Sequence, residues 1–99
     1  MNEFVYVMLI ERGVNFKKMT KATVERHVAH IRQLDDNGHL ELCGPTKGFK
    51  GVAGMVVLKA ANLEEADALC QREPMVTEGF AMYTLFTVRL GNRENNYLI

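Results

Sequence analysis

The stretch FVYVMLI, residues 4–10, is apolar at both its odd and its even positions, and VAGMVVL, residues 52–58, repeats the feature. Successive side chains of a strand point to opposite faces, so a sheet with one wet face shows apolar residues at every second position only. A later stretch, AMYTLFTV, carries Met82, Phe86 and Val88 on one parity against Tyr83 and Leu85 on the other. A fold built on these strands needs a sheet covered on both faces.

The intervening segments supply one cover. From Thr20 the period changes, and Val24, Val28, Ile31 and Leu34 recur at helical spacing, predicting an amphipathic helix over Thr20 to Asp36. Asn37-Gly38 closes it, because Gly takes the left-handed conformation that satisfies the last carbonyls. A strand HLELCG follows, Pro45 ends its pairing, and Thr46 to Gly51 forms a basic loop before a strand over Val52 to Ala60. Asn62 caps a second helix with Glu64 and Glu65 in its first turn, where negative charge suits the helix dipole. Glu73-Pro74 breaks that helix, a short MVTEG segment follows, and Phe80 to Leu90 reads as the last strand.

With Glu3 to Ile10 as the first strand, the order is β-α-β-β-α-β, the ferredoxin-like α+β pattern: a four-stranded antiparallel sheet with two helices on one face. The second face still needs a cover. Another copy's sheet provides the simplest one, predicting a homodimer whose sheets pack face to face into a dimeric α+β barrel. The alternative is a monomer that leaves a few hydrophobes exposed.

At 99 residues the chain is expected to be one domain, 1–99, with 91–99 as a C-terminal tail. Twelve basic residues balance twelve acidic ones without a basic run, which argues against nucleic acid as a partner. No apolar run approaches the roughly 20 residues of a membrane span, and the N-terminus has no secretory pattern, so a cytoplasmic location is expected. Cys43 and Cys70 fit no metal or redox spacing and read as small buried hydrophobes.

Chemistry centres on RHVAHIRQL, where His27 and His30 lie three apart on the predicted helix. At about 100° per residue His27 falls between Ile31 and Leu34 in the apolar stripe, and His30 falls at its edge. A histidine among core positions needs a specific hydrogen-bond partner. Three readings stay open on this geometry: a packed histidine bonded to a backbone carbonyl, a catalytic one, or a metal ligand. No Cys or carboxylate nearby completes a zinc set, and metalloprotease helices space their histidines by four with an intervening Glu, so no metal is expected. His39 opens a strand and reads as solvated.

The string HVAHIRQLDDNGHLELCGP joins a histidine, a run of apolar helix residues, Gly eleven positions on, an apolar strand and Gly-Pro; after the second helix comes EPMVTEG, a carboxylate-proline pair with Gly five positions past the proline. In these features the chain resembles the YCII-related domain family from its first strand to Val88. The resemblance implies a ferredoxin-like fold, a homodimer and an active site built on a His/Asp pair. Carried over by position, the histidine is His27 and the carboxylate is Glu73, with Glu in place of the usual Asp. Gly44 and Pro45 sit at the strand end facing the same region, and Lys47 and Lys50 in the adjoining loop are candidates to meet an anionic substrate.

Relatives of this kind are associated with dehydrochlorination of chlorinated hydroxyhydroquinones, and related barrels isomerise lactones. Both reactions move a proton beside a carbonyl or enol. The resemblance therefore implies a small-molecule enzyme in which His27 is the general acid or base and Glu73 orients it. No Gly-rich phosphate loop is present, and no cofactor is expected. The competing expectation is a non-catalytic module that uses the same dimer to hold a small ligand or an assembly partner, with His27 serving only to pack.

Overall fold

The computed structural model describes residues 3–99. Strand β1 (Phe4–Arg12) leads through a 3-10 turn (Phe16–Lys18) to α1 (Lys21–Asp36), β2 (Leu40–Pro45), β3 (Val52–Leu58), α2 (Leu63–Cys70), α3 (Pro74–Thr77) and β4 (Ala81–Arg89). The strands form one antiparallel sheet in the order β2-β3-β1-β4, the arrangement of a ferredoxin-like α+β fold.

Local chemistry fixes most boundaries. Thr20 caps α1 by accepting from the Thr23 N–H, and Gly38, at φ +76°, ends it in a left-handed turn where His39 N–H returns to the Leu34 carbonyl at 2.8 Å. Asn62 caps α2 by accepting from Glu65 N–H. Pro45 is still paired, opposite Gly54, and this is tolerated because β2 is an edge strand. β1 runs past Ile10, since Glu11 and Arg12 pair with Met82 and Ala81 on β4. β3 stops at Leu58, short of the expected Ala60.

The Glu73-Pro74 pair ends regular structure as expected but also starts it. Pro74 occupies the first turn of α3, where its missing N–H costs nothing, and Glu73 is the N-cap. The MVTEG segment therefore begins as a short helix. It closes on Gly79, whose φ of +83° is accessible to glycine without strain.

The sheet buries different residues on its two faces. Toward the helices Tyr6, Met8 and Ile10 of β1 pack with Val56 and Leu58 of β3, Leu34 of α1, and Ala66 and Cys70 of α2. Val5, Val7 and Val57 form a second cluster with Leu9 and Met55. The register sets Phe86 opposite Val7, Val88 opposite Val5, and Leu42 opposite Val57, so these residues extend the second face. There Phe86 is 41% and Leu42 49% exposed in a single chain.

The inward face of α1 is rotated from the expected stripe. Val24 and Val28 are exposed, whereas Thr23 and Leu34 are buried and His27, His30 and Ile31 are half-buried. The reason lies in polar partners: Thr23 and His27 each reach a carboxylate on the α2–α3–β4 segment, and those bonds turn them inward in preference to valines. Leu58 is 1% exposed, so truncating its side chain would leave a cavity in the core. Leu58→Ala should cost about 3 kcal/mol in chemical denaturation, while Val14→Ala, at a fully exposed site, should stay within about 0.5 kcal/mol of the parent.

Candidate active site

Two carboxylates from one seven-residue segment grip the first half of α1. Glu73 is fully buried, and its Oε1 accepts from His27 Nδ1–H at 2.7 Å and from the Met75 backbone N–H at 3.2 Å. The bond at Nδ1 fixes the ring's tautomer and orientation and leaves Nε2 as the nitrogen available for proton exchange. Oε2 of the same carboxylate is buried with no hydrogen-bond partner among the described residues.

Glu78, at the far end of α3, receives the other set. Arg26 donates Nε–H to Oε2 and Nη2–H to Oε1, each at 2.7 Å, and Thr23 donates its hydroxyl to Oε1 at 2.8 Å. The Arg26 bonds, then the Thr23 bond, hold the Glu78 carboxyl at about 2, well below the usual carboxylate range. Helix α3 is thus tied to α1 at both ends, with His27 itself forming the tie at Glu73.

His27 faces a cavity of about 380 Å³ between α1 and the β2–β3 hairpin. Ile10, Phe16, Val28, Ile31, Val56 and Met75 supply an apolar wall. Gly44, Pro45 and Gly54 form the hairpin side, where a side chain at Gly54 would come within 3.1 Å of the Gly44 carbonyl oxygen. Phe16 is set by Arg12, whose guanidinium lies 5.5 Å from the ring centre and whose Nη1 donates to the Val52 carbonyl. The result is a mostly apolar pocket with one imidazole at its side.

The sequence candidates separate cleanly. His27, Glu73, Gly44 and Pro45 come together at this cavity or directly behind it. Lys47 and Lys50 lie exposed in the hairpin loop and are not among the lining residues. His39 is corrected from a solvated residue to a half-buried one, because its Nδ1–H donates to the Lys59 carbonyl at 2.9 Å. Cys70 is buried as expected, and burial pushes its thiol up to about 12. Cys43 is exposed and borders the cavity, contrary to the expectation of a buried thiol.

Sequence reasoning missed Phe16, Met75 and the Arg26–Glu78–Thr23 cluster. Phe16 lies three positions past Gly13 in a segment with no period, and Arg26 and Glu78 are 52 positions apart, so nothing local joins them. Only the juxtaposition of Arg26 with His27, and of Glu78 with Gly79, placed them near the quoted motifs.

A ferredoxin-like α+β domain with a carboxylate-bonded histidine on the wall of an apolar cavity defines the class. The model of the YCII-related domain matches residues 4–89, and the chain belongs to that family. A comparison with curated protein sequences returns no match. Among solved structures, the chain is similar to 5-chloro-2-hydroxyhydroquinone dehydrochlorinase from Burkholderia phenoliruptrix AC1100, solved in complex with 2,5-dihydroxybenzoquinone. The likeness has a TM-score of 0.65 at 14% identity and covers 94% of this chain and 98% of that one. It is also similar to a dimeric ferredoxin-like protein of unknown function from Thermobifida fusca YX, with a TM-score of 0.56 at 15% identity over 88% of this chain and 90% of that one. At these identities the likeness establishes the fold. Among the described residues no helix is long and apolar enough to cross a membrane.

The depressed Glu78 carboxyl gives a pH prediction. A carboxyl held at about 2 when folded, against 4.5 ordinarily, adds stability that is complete above pH 4.5 and is lost as the pH falls toward 2. Glu78→Gln should remove that component, so the difference in stability between parent and variant should shrink as pH drops through this window. Denaturant titrations at pH 6, 4 and 2.5 check it, and a constant difference would count against the assignment.

Proposed function

We propose that the protein is a small-molecule enzyme acting on a ring compound, with His27 as general acid or base and Glu73 as the group that orients it. The observation that carries this reading is the 2.7 Å bond from His27 Nδ1–H to a fully buried carboxylate, with the ring at the wall of an apolar cavity. A structural histidine needs only a carbonyl, as His39 has. A buried carboxylate is a costlier partner, and its return is a ring that gains stabilisation when Nε2 takes up a proton.

In the proposed chemistry Nε2 removes a proton from a ring hydroxyl or from a carbon beside a carbonyl. The electron pair left behind forms an enolate or phenolate, which expels a leaving group or is reprotonated elsewhere on the ring. The imidazolium faces the Glu73 carboxylate across Nδ1, and the proton is later returned to product or solvent. The cavity's apolar walls suit a flat ring, with Gly44, Pro45 and Gly54 allowing close approach. The solved dehydrochlorinase, a protein of the same fold bound to a dihydroxyquinone, makes halogenated hydroxyquinols and hydroxyquinones the first substrates to try. Lys47 and Lys50 are proposed as groups that draw an anionic ring toward the hairpin.

The reading includes a homodimer. Leu42, Phe86 and Val88 leave the second sheet face apolar and partly open in one chain, and one structure of similar fold is described as dimeric. Packing two such faces together removes this surface from water.

Two experiments test these statements. A panel of chlorinated dihydroxy- and trihydroxybenzenes, assayed by chloride release and ultraviolet change, should give turnover that His27→Gln lowers by about 10²-fold to 10⁴-fold while the circular dichroism spectrum is kept. Turnover unchanged in the variant would end the catalytic role, and absence of turnover with tight ring binding would favour the non-catalytic module. Sedimentation should find twice the mass of one chain, and Phe86→Glu should shift the population toward single chains. A parent protein that sediments as single chains at micromolar concentration would refute the dimer.

A further inference from the structure

The cavity beside His27 has no fixed cation in its lining: apart from that imidazole and the Cys43 thiol, every lining side chain is apolar or absent. The group directly behind His27 is the acid Glu73. An ionised substituent on a bound ring would find no counter-charge there, and burying an unpaired anion is strongly unfavourable. Any negative charge on a ligand therefore belongs at the rim.

The rim carries the opposite charge. Ile10 lines the cavity, and alternation along β1 puts Arg12 on the same face two residues further on, opposite the buried Ala81. Its guanidinium lies 5.5 Å from the centre of the Phe16 ring, itself a cavity wall, and its Nη1 donates at 3.2 Å to the carbonyl of Val52, the neighbour of the lining residue Ala53. The Arg12 backbone N–H reaches the Gly51 carbonyl at 2.8 Å, which ties the loop between β2 and β3 to the segment leading to Phe16. Lys17 and Lys18 follow Phe16 in the 3-10 turn, and Lys47 and Lys50 lie in the tied loop; all four are exposed.

Arg12 is positioned but unpaired. It forms no ion pair among the described residues. Only Nη1 is engaged, so the edge formed by Nε–H and Nη2–H, a fork that matches the two oxygens of a carboxylate, is unused. The acidic neighbours are occupied elsewhere: Glu11 points to the other sheet face and accepts from Thr84, and Glu78 is held by Arg26 and Thr23.

We propose that the cavity selects a ring bearing a carboxylate, with the ring between α1 and the hairpin and the carboxylate held at the rim by Arg12. This rests on the reading of the cavity as the site of a ring compound, and it makes the ligand a cyclic or aromatic acid. Arg12 is the anchor, because the Phe16 ring and the Val52 carbonyl hold its guanidinium in place. The four lysines, on flexible stems, raise the local positive potential and steer the acid inward.

The test compares 2,5-dihydroxybenzoate with its methyl ester, the same ring without the charge, by titrating each into the whole protein and following the His27 and Gly54 resonances. The acid should bind about 10-fold more tightly than the ester at about 0.02 M salt, and the preference should shrink at about 0.5 M. Arg12→Gln, which can still donate to the Val52 carbonyl, should bring the acid down to the affinity of the ester, and Arg12→Lys should restore part of the preference. Replacing Lys47 and Lys50 together by Gln should flatten the salt dependence and keep most of the preference. An ester that binds as well as the acid, a preference that survives Arg12→Gln, or binding by neither ring would overturn the proposal. Binding needs no turnover, so an acid preference lost in Arg12→Gln in a protein that converts no ring compound would sink the enzymatic reading and leave the acid site standing. Turnover of rings without any preference for the acid would do the reverse.

Discussion

A carboxylate taken out of water costs several kcal/mol unless charge and hydrogen bonds replace its hydration, and Glu73 is such a carboxylate. Its partners explain much of the helical layer. Because His27 must reach it, α1 turns Thr23, His27 and Ile31 toward the sheet and leaves Val24 exposed and Val28 on the open wall of the cavity. Because Glu73 caps α3, the chain after α2 folds back beneath α1 and does not run directly into β4. The second tie, Arg26 and Thr23 to Glu78, then closes the far end of the same short helix. A four-residue helix has no stability of its own. Here its two ends are carboxylates bonded to a sixteen-residue neighbour, and that attachment holds it.

The sheet sets where the cavity can form. Both faces of β1 and β3 are apolar, but the helices cover only one, and there the core is continuous from Tyr6 through Met8 and Ile10 to Val56 and Leu58. The cavity opens where that core runs out, between α1 and the hairpin of β2 and β3, and it borrows Ile10 and Val56 as its floor. Gly44 and Gly54 contribute no side chains, so space persists beneath α1 that larger residues would have filled. Tyr83 anchors the opposite side of the helical layer. Its hydroxyl donates to Asp67 on α2 at 2.6 Å, and burial followed by that bond raises the phenol to about 12.

Most of this architecture is legible in the sequence, for identifiable reasons. Strands and helices are written in short-range periodicity, and Thr20, Gly38, Asn62 and Pro74 mark ends through backbone chemistry that depends only on neighbours. The His27–Glu73 pairing is not of that kind. Forty-six positions separate the two residues, and family spacing alone brought them together. Where no spacing pattern helped, as for Arg26 with Glu78 or Phe16 with the cavity, tertiary contact decided the matter and the sequence carried no visible sign. The stripe on α1 shows the opposite failure: hydrophobic period predicted the wrong face by part of a turn, because two polar side chains with dedicated partners outweighed two valines.

The glutamate itself ties these strands of argument together. N-caps are usually Ser, Thr, Asp or Asn, whose short side chains fold back onto the helix N-terminus. Glu is one methylene longer, and here a single oxygen spans both tasks, with 2.7 Å to the histidine and 3.2 Å to the Met75 N–H. The distances rank the two: the histidine takes the short bond and the cap accepts the long one. A shorter carboxylate, tethered closer to the α3 N-terminus, would be drawn further toward the cap. The longer side chain delivers one oxygen to both His27 and the cap and leaves the other buried without a hydrogen-bond partner among the described residues. The unpartnered Oε2 is the other side of that arrangement: because one oxygen serves both the histidine and the cap, the second takes part in neither.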